Sequence, residues 1–250
     1  MNSIKASLIT YRPQRYFLIA LTCLLICLLL LQLFAPPVDY QTPLPDLPGF
    51  ILTSFSLMAG KPLFPATIFA GFGFAYLVKS RQNWGITSVQ FVLLLCIAFV
   101  CKSAIKSVTE EPRPYTAWLT KSGVVESPAS FYQLDELNKL KVIRQSENIF
   151  GFWRTENWKD GTNYALPSGH TIFAALFVAF WGGLLLQYRY YMLTSLVVLW
   201  GVAVAGSRLY LGMHSYADLY TSISLIYLFS AILPLSHRLI SRLAQAHLSG

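Results

Sequence analysis

One stretch of the chain gathers residues that could do chemistry together: Ser207-Arg208-Leu209-Tyr210-Leu211-Gly212-Met213-His214-Ser215-Tyr216-Ala217-Asp218, set between two long apolar runs that carry almost no charge. If helix resumes at or just before His214, Asp218 lies one turn further on, where its carboxylate can reach the imidazole on the same face. A histidine held in that way is oriented and made more basic. Arg208 adds a permanently charged planar fork suited to phosphate oxygens. Ionisable groups at the ends of membrane-embedded helices are costly to keep, which favours function. The alternative is a membrane-edge loop with a snorkelling arginine and an aspartate opening a helix.

Two further basic clusters weigh on that choice. Lys102 and Lys106 sit four apart at the polar end of an apolar run, followed by Glu110-Glu111-Pro112-Arg113-Pro114. The prolines on either side of Arg113 stop the helix and fix the local backbone. Lys106 and Arg113 then emerge close enough to clamp an anion, with simple snorkelling the competing reading and the preferred one for Lys102. Glu110 and Glu111 read as partners for these cations. Further on comes Pro167-Ser168-Gly169-His170-Thr171. Ser168 is a natural N-cap, Gly169 permits close approach to the backbone, and the free amides of a helix start attract anions. His170, in the first turn, could donate a proton to a leaving group.

The elements that must position these residues are membrane helices. The chain has 250 residues, 55% hydrophobic and only 12% charged, with a mean hydropathy of +0.51, about half the charge of an average globular protein. The run Phe17 to Phe34 carries no charge and is long enough to cross a bilayer. No small-residue cleavage site follows it, so it reads as a retained helix. Five more runs follow: roughly Leu63 to Val78, Ile86 to Ile105, Ser168 to Leu186, Tyr190 to Leu211 and Leu219 to Leu235. The second of the six, with Pro65, Gly71 and Gly73 inside it, is the weakest.

Six crossings put both termini on one side. Lys5, Arg12, Arg15, Lys79, Arg81, Arg189, Arg238 and Arg242 are the charges of the tails and of two connections, with no acid among them, so these segments are expected to be cytoplasmic. The basic balance thus faces anionic lipid, which argues against nucleic-acid binding. Cys23 with Cys27 and Cys96 with Cys101 lie within single expected helices and read as small apolar residues, neither a disulfide framework nor a zinc site. His237 and His247 fall in the C-terminal tail and receive no role.

Two connections are longer. Ala35 to Gly60 is rich in proline and reads as an outer loop with at most a short interfacial turn near Phe50 to Met58, carrying no chemistry. Tyr115 to Leu166 is too polar for the membrane and too aromatic for disorder. Ser130-Phe131-Tyr132-Gln133 reads as a capping box ahead of Leu134, Leu137 and Leu140. A short amphipathic helix and a small cap are therefore expected, with the aromatics serving packing and the interface and a lid role open.

The expected fold is all-α: a six-transmembrane-helix bundle with a small, mostly helical periplasmic cap between helices 3 and 4. Its parts are a cytoplasmic tail (1–16), helices 1–3 (17–106), the cap and first-motif loop (107–167), helices 4–6 with the catalytic core (168–236) and a second cytoplasmic tail (237–250). That topology returns Lys106, Arg113, Ser168, His170, Arg208 and His214 to one membrane level.

Taken together, Lys106-x6-Arg113-Pro114, Pro167-Ser168-Gly169-His170 and Ser207-Arg208-x5-His214-x3-Asp218 resemble the three-part signature of the type 2 phosphatidic acid phosphatase superfamily, complete and in order. The resemblance covers approximately Ile86 to Leu235 and implies a lipid phosphatase of a bacterial inner membrane that needs no metal or other cofactor and no obligate protein partner. It implies that His214 is the nucleophile and carries a phosphohistidine, that Asp218 orients its ring, and that His170 is the general acid. It assigns Lys106, Arg113, Ser168, Gly169 and Arg208 to the phosphoryl oxygens. Phosphatidylglycerophosphate is the first-choice substrate on this basis. Undecaprenyl diphosphate, phosphatidic acid, lysophosphatidic acid and diacylglycerol pyrophosphate are the alternatives. A metal-dependent hydrolase built on His170, His214 and Asp218 is disfavoured by the surrounding cations. Haloperoxidases with the same signature are soluble, which this hydropathy excludes. A lipid or anion transporter would place its ionisable groups nearer mid-membrane.

Overall fold

The computed structural model describes residues 13–78 and 84–248, with side chains from 14 to 78 and from 84 to 233. Lys5, Arg12, Lys79 and Arg81 lie outside the described residues, as do the side chains of His237, Arg238, Arg242 and His247. Among the described residues the chain is helical throughout: α1 (Pro13–Phe34), α2 (Asp46–Met58), α3 (Phe64–Val78), α4 (Trp84–Thr109), α5 (Pro114–Lys121), α6 (Pro128–Gln133), α7 (Glu136–Gln145), α8 (Glu147–Phe150), α9 (Phe152–Lys159), α10 (Gly169–Phe177), α11 (Gly183–Gln187), α12 (Tyr191–Tyr210) and α13 (Tyr216–Leu248). A π-helical stretch, Val178–Gly182, joins α10 to α11.

Among the described residues five helices are long and apolar enough to cross a membrane: α1, α4, the continuous α10–α11 rod, α12 and α13. The central rod, Gly169–Gln187, is 83% buried and packs against α1, α12 and α13. A helix apolar on all sides belongs at the centre of such a bundle. α3 is apolar but has only 15 residues, about 22 Å at 1.5 Å per residue. It runs antiparallel to α4: Phe64 meets Phe99 and Phe173 at 5.9 and 4.6 Å, and Tyr76 meets Trp84 at 6.4 Å.

Three expectations need correction. The connection 35–60 contains a 13-residue helix, α2, packed against α12, where at most an interfacial turn was expected. The capping box lies three residues earlier than Ser130: Ser127 is the N-cap, and its Oγ accepts from Ser130 N while Ser130 Oγ accepts from Ser127 N. Pro128 at the first helical position was the overlooked start signal. Leu134 consequently ends α6, and Asp135 caps a separate α7. That helix buries Lys139 and Ile143, whereas Leu137 of the expected apolar face is 64% exposed. Finally, Glu110 and Glu111 are exposed and form no ion pair among the described residues, where the pairs join Lys139 to Glu136 and Lys159 to Glu156.

Helices α5 to α9 surround a second apolar core of Tyr115, Leu119, Phe131, Ile143, Phe150 and Trp158. That core also takes in Leu211 and Met213 from the turn between α12 and α13. The long insertion therefore packs directly on the peptide that carries His214.

Candidate functional site

α12 ends in a Schellman turn. Gly212, at φ +74°, takes the left-handed position, Met213 N donates to Arg208 O at 2.9 Å, and Gly212 N donates to Leu209 O at 2.9 Å. His214 N also donates to Arg208 O, at 3.1 Å. The spacing Arg208-x5-His214 is thus the length of one helix-terminating turn, and it ties the backbone of the histidine to that of the arginine. Helix resumes at Tyr216, two residues beyond His214 and later than the sequence suggested. Asp218 Oδ2 accepts from Ser215 N at 2.8 Å, and Ser215 Oγ accepts from Asp218 N at 3.3 Å. This reciprocal box fixes the carboxylate at the helix start, with its Oδ2 only 3.3 Å from His214 Nδ1. The two atoms are close but not aligned as a hydrogen bond.

The far side of the His214 ring meets Arg113, whose Nη1 lies 3.1 Å from Nε2. With the imidazole proton on Nδ1, facing Asp218, Nε2 offers its lone pair to that guanidinium. Arg113 is buried and held in place: Nε donates to Asn163 O at 2.6 Å, Nη2 to Asn163 Oδ1 at 2.7 Å and Nη1 to Met213 O at 3.1 Å. Burial holds the His214 pKa well below its ordinary value, and the charges of Arg113, Arg208, Lys106 and His170 act in the same direction. The ring therefore remains neutral, as an attacking nitrogen requires.

The other expected residues gather around this pair. Arg208, buried, donates from Nη1 to Ser56 Oγ, and its Nε has no partner among the described residues. Arg208 Nε, His214 Nδ1 and Asp218 Oδ1 are three of the buried polar atoms without a hydrogen-bond partner. Such atoms are rare in folded proteins and call for an explanation. Lys106 Nζ donates to the carbonyls of Tyr164 and Ala165, the second at 2.9 Å. Ser168 caps α10 as expected, its Oγ accepting from Thr171 N at 3.3 Å. Ser222 Oγ accepts from Ser168 N at 2.9 Å and donates to Asp218 O at 2.7 Å, which couples the two motifs.

Four contributors were not legible as such. Lys102 is only half-exposed, and a Cβ at Gly169 would meet its Cδ at 3.2 Å, so the side chain lies over the second motif as well as over Phe99. Asn163 grips Arg113 with both its backbone and its side-chain oxygen. From the segment expected to carry no chemistry come Ser56 and Gly60. A Cβ at Gly60 would lie 2.5 Å from His170 Nε2. Next to this contact an apolar cleft of about 500 Å³ opens between α3 and α12, lined by Met58, Leu63, Ala70, Phe74, Phe177 and Trp200 among others.

Buried guanidinium groups and half-buried ammonium groups around two imidazoles suit a dianion whose negative charge is shared over equatorial oxygens. Residues 87–241 match the PAP2 superfamily. The chain is similar to phosphatidylglycerophosphatase B of Haemophilus influenzae, 30% identical over 168 residues, which covers 64% of this chain and 69% of that protein. It is also similar to the protein of the same name in Escherichia coli, 36% identical over 122 residues and 47% of each chain. The chain thus spans about half the length of the Escherichia coli relative.

Proposed function

The chain belongs to the PAP2 superfamily, and from that premise we propose that it is an integral-membrane lipid phosphatase working through a phosphohistidine. The observation that carries this reading is the His214 ring, with Nδ1 3.3 Å from Asp218 Oδ2 and Nε2 3.1 Å from Arg113 Nη1. In the proposed mechanism the phosphoryl group takes over the donors of Arg113, Arg208 and Lys106, together with Ser168 Oγ and the Gly169 amide. Nε2 of His214 attacks phosphorus, the bond from phosphorus to the lipid oxygen breaks, and His170 gives its proton to that oxygen. Water then attacks phosphorus and gives a proton to His170, the bond from phosphorus to Nε2 breaks, and inorganic phosphate leaves with His214 restored. Covalent capture divides the hydrolysis into two easier steps, and Asp218 steadies the ring as it gains positive charge.

The substrate is phosphatidylglycerophosphate on this reading, and the names of the two relatives support it. Its chains would enter sideways, and the apolar cleft beside Gly60 suits one of them. α3 is taken as a sixth crossing, because it is apolar and runs antiparallel to α4, from Phe64 against Phe99 and Phe173 to Tyr76 against Trp84. Both termini then face the cytoplasm of a bacterial inner membrane, and helices α5 to α9 form a cap on the periplasmic side. The test is phosphate release by the purified chain in mixed micelles of each candidate lipid. Release is expected to be lost in His214→Ala; full release by that variant would refute the mechanism.

A further inference from the structure

Five consecutive carbonyls, those of residues 209 to 213, lead from the end of α12 to His214, and each is met by a donor from outside the turn. Tyr40 Oη donates to Leu209 O at 2.8 Å, Arg154 Nε to Tyr210 O at 3.4 Å, and Trp158 Nε1 to Leu211 O at 2.7 Å. Tyr115 N donates to Gly212 O at 3.1 Å and Arg113 Nη1 to Met213 O at 3.1 Å. The last turn of a helix leaves carbonyls without partners, and water or a single side chain commonly serves them. Here they are taken in order by the loop before α2, by α9 and by the start of α5.

The donors are themselves braced. Arg154 is buried and gives its remaining nitrogens to Tyr40 O, Thr42 O and Asp39 O at 2.9, 2.8 and 2.7 Å, with its guanidinium 5.1 Å from the Tyr40 ring centre. Trp158 is fully buried and stacks on Tyr115 at 4.8 Å. A Cβ at Gly212 would come within 3.0 Å of Tyr40, so the ring presses on the turn at its left-handed residue. A carbonyl ladder this complete lets the peptide carry His214 in one position only.

We infer that Tyr40, Arg154 and Trp158 are positioning residues: they hold the 209–213 peptide so that the His214 ring stays between Arg113 and Asp218. The insertion, together with Tyr40 from the loop before α2, then acts as a clamp on the nucleophile, beyond any part in binding lipid. This inference rests on the proposed function, but His214 can be followed without turnover. In this chain its side chain is 2% exposed, so diethyl pyrocarbonate should modify it slowly.

The experiment compares the purified wild type with Tyr40→Phe, Trp158→Phe and the double variant, each change removing a donor and keeping a ring, with Leu137→Ala as the control on exposed surface. Carbethoxylation of His214, read by peptide mass spectrometry, is expected to quicken about tenfold in the double variant, with the melting temperature within a few degrees of wild type. An unchanged rate in both single variants overturns the inference, whether or not the double variant folds. Phosphate release from phosphatidylglycerophosphate in mixed micelles is the second readout. Here kcat should fall about tenfold with KM nearly constant, the mark of a displaced reacting group; an unchanged kcat also overturns the inference. A wild type that releases no phosphate would refute the proposed function, and the modification rates would still decide this inference.

Discussion

Replacing Gly60 with alanine should disable the protein without unfolding it. The added Cβ would stand 2.5 Å from His170 Nε2, and ordinary contact begins at 3.4 Å, so ring and turn must separate by about 0.9 Å. The imidazole is the softer partner, being the free end of a side chain. A misplacement of about 1 Å at a reacting group costs on the order of 10²-fold in rate, or about 2.7 kcal/mol of barrier. Stability should move the other way: Gly60 is not among the positive-φ glycines, and alanine at a compatible glycine site gains about 0.4–1 kcal/mol by restricting the unfolded chain. The assay is kcat for phosphate release together with single-turnover labelling of His214, alongside a thermal melt. Gly73→Ala, where a Cβ would meet nothing within 4 Å, is the control. A Gly60→Ala protein with kcat within threefold of wild type would show that His170 does not act from this position.

Three further outcomes follow from the geometry. Because burial and neighbouring cations hold the His214 pKa well below its ordinary value, the nucleophile should show no loss of activity as pH falls through about 6.5. Its linkage to stability has a definite sign: below about pH 6.5 the unfolded chain binds the proton that the folded chain refuses, so stability is constant above that pH and declines below it, by at most about 1.4 kcal/mol per pH unit. A pH titration of activity and of chemical denaturation, the latter for wild type against His214→Gln, checks both, and a wild-type stability that gained on that variant on acidification would contradict the buried, cation-flanked ring. Ala70→Trp, which fills the cleft between α3 and α12, should raise KM about tenfold for a long-chain lipid and leave a water-soluble short-chain analogue unaffected; equal KM changes for both would place the chain elsewhere. EDTA should leave turnover intact, since Lys106, Arg113 and Arg208 already supply the positive field and would repel a divalent ion; loss of activity restored by a metal would favour the hydrolase with His170, His214 and Asp218 as ligands.

The sequence was most readable where one physical rule governs a segment. Long uncharged runs read as helices, and the ends of α1, α3, α4 and α12 fall within a few residues of their expected limits. The three motifs also meet, because charged residues at helix ends have few places to go in an apolar bundle. What could not be read depends on packing between distant segments. α2 escaped notice because 13 residues interrupted by Pro48 match neither a crossing nor an ordinary amphipathic helix, so Ser56 and Gly60 gave no sign of reaching Arg208 and His170. Lys102 could have been found: it lies one turn from Lys106 on the same face, and a face that turns one lysine toward the second motif turns the other as well.

The same reasoning explains why the insertion looked like mere packing. Its aromatic residues do form a core, and composition alone reveals nothing more. The hydroxyl of Tyr40, the indole nitrogen of Trp158 and the guanidinium of Arg154 each needed a partner once buried, and the carbonyls left over at the end of α12 needed donors. Each set satisfies the other. Two costs of burial thus cancel at the peptide whose position matters most, and an insertion built around its own polar atoms, with Tyr40 beside it, braces His214. A core of phenylalanine and leucine of equal volume would pack as well against the bundle and leave that peptide free to move.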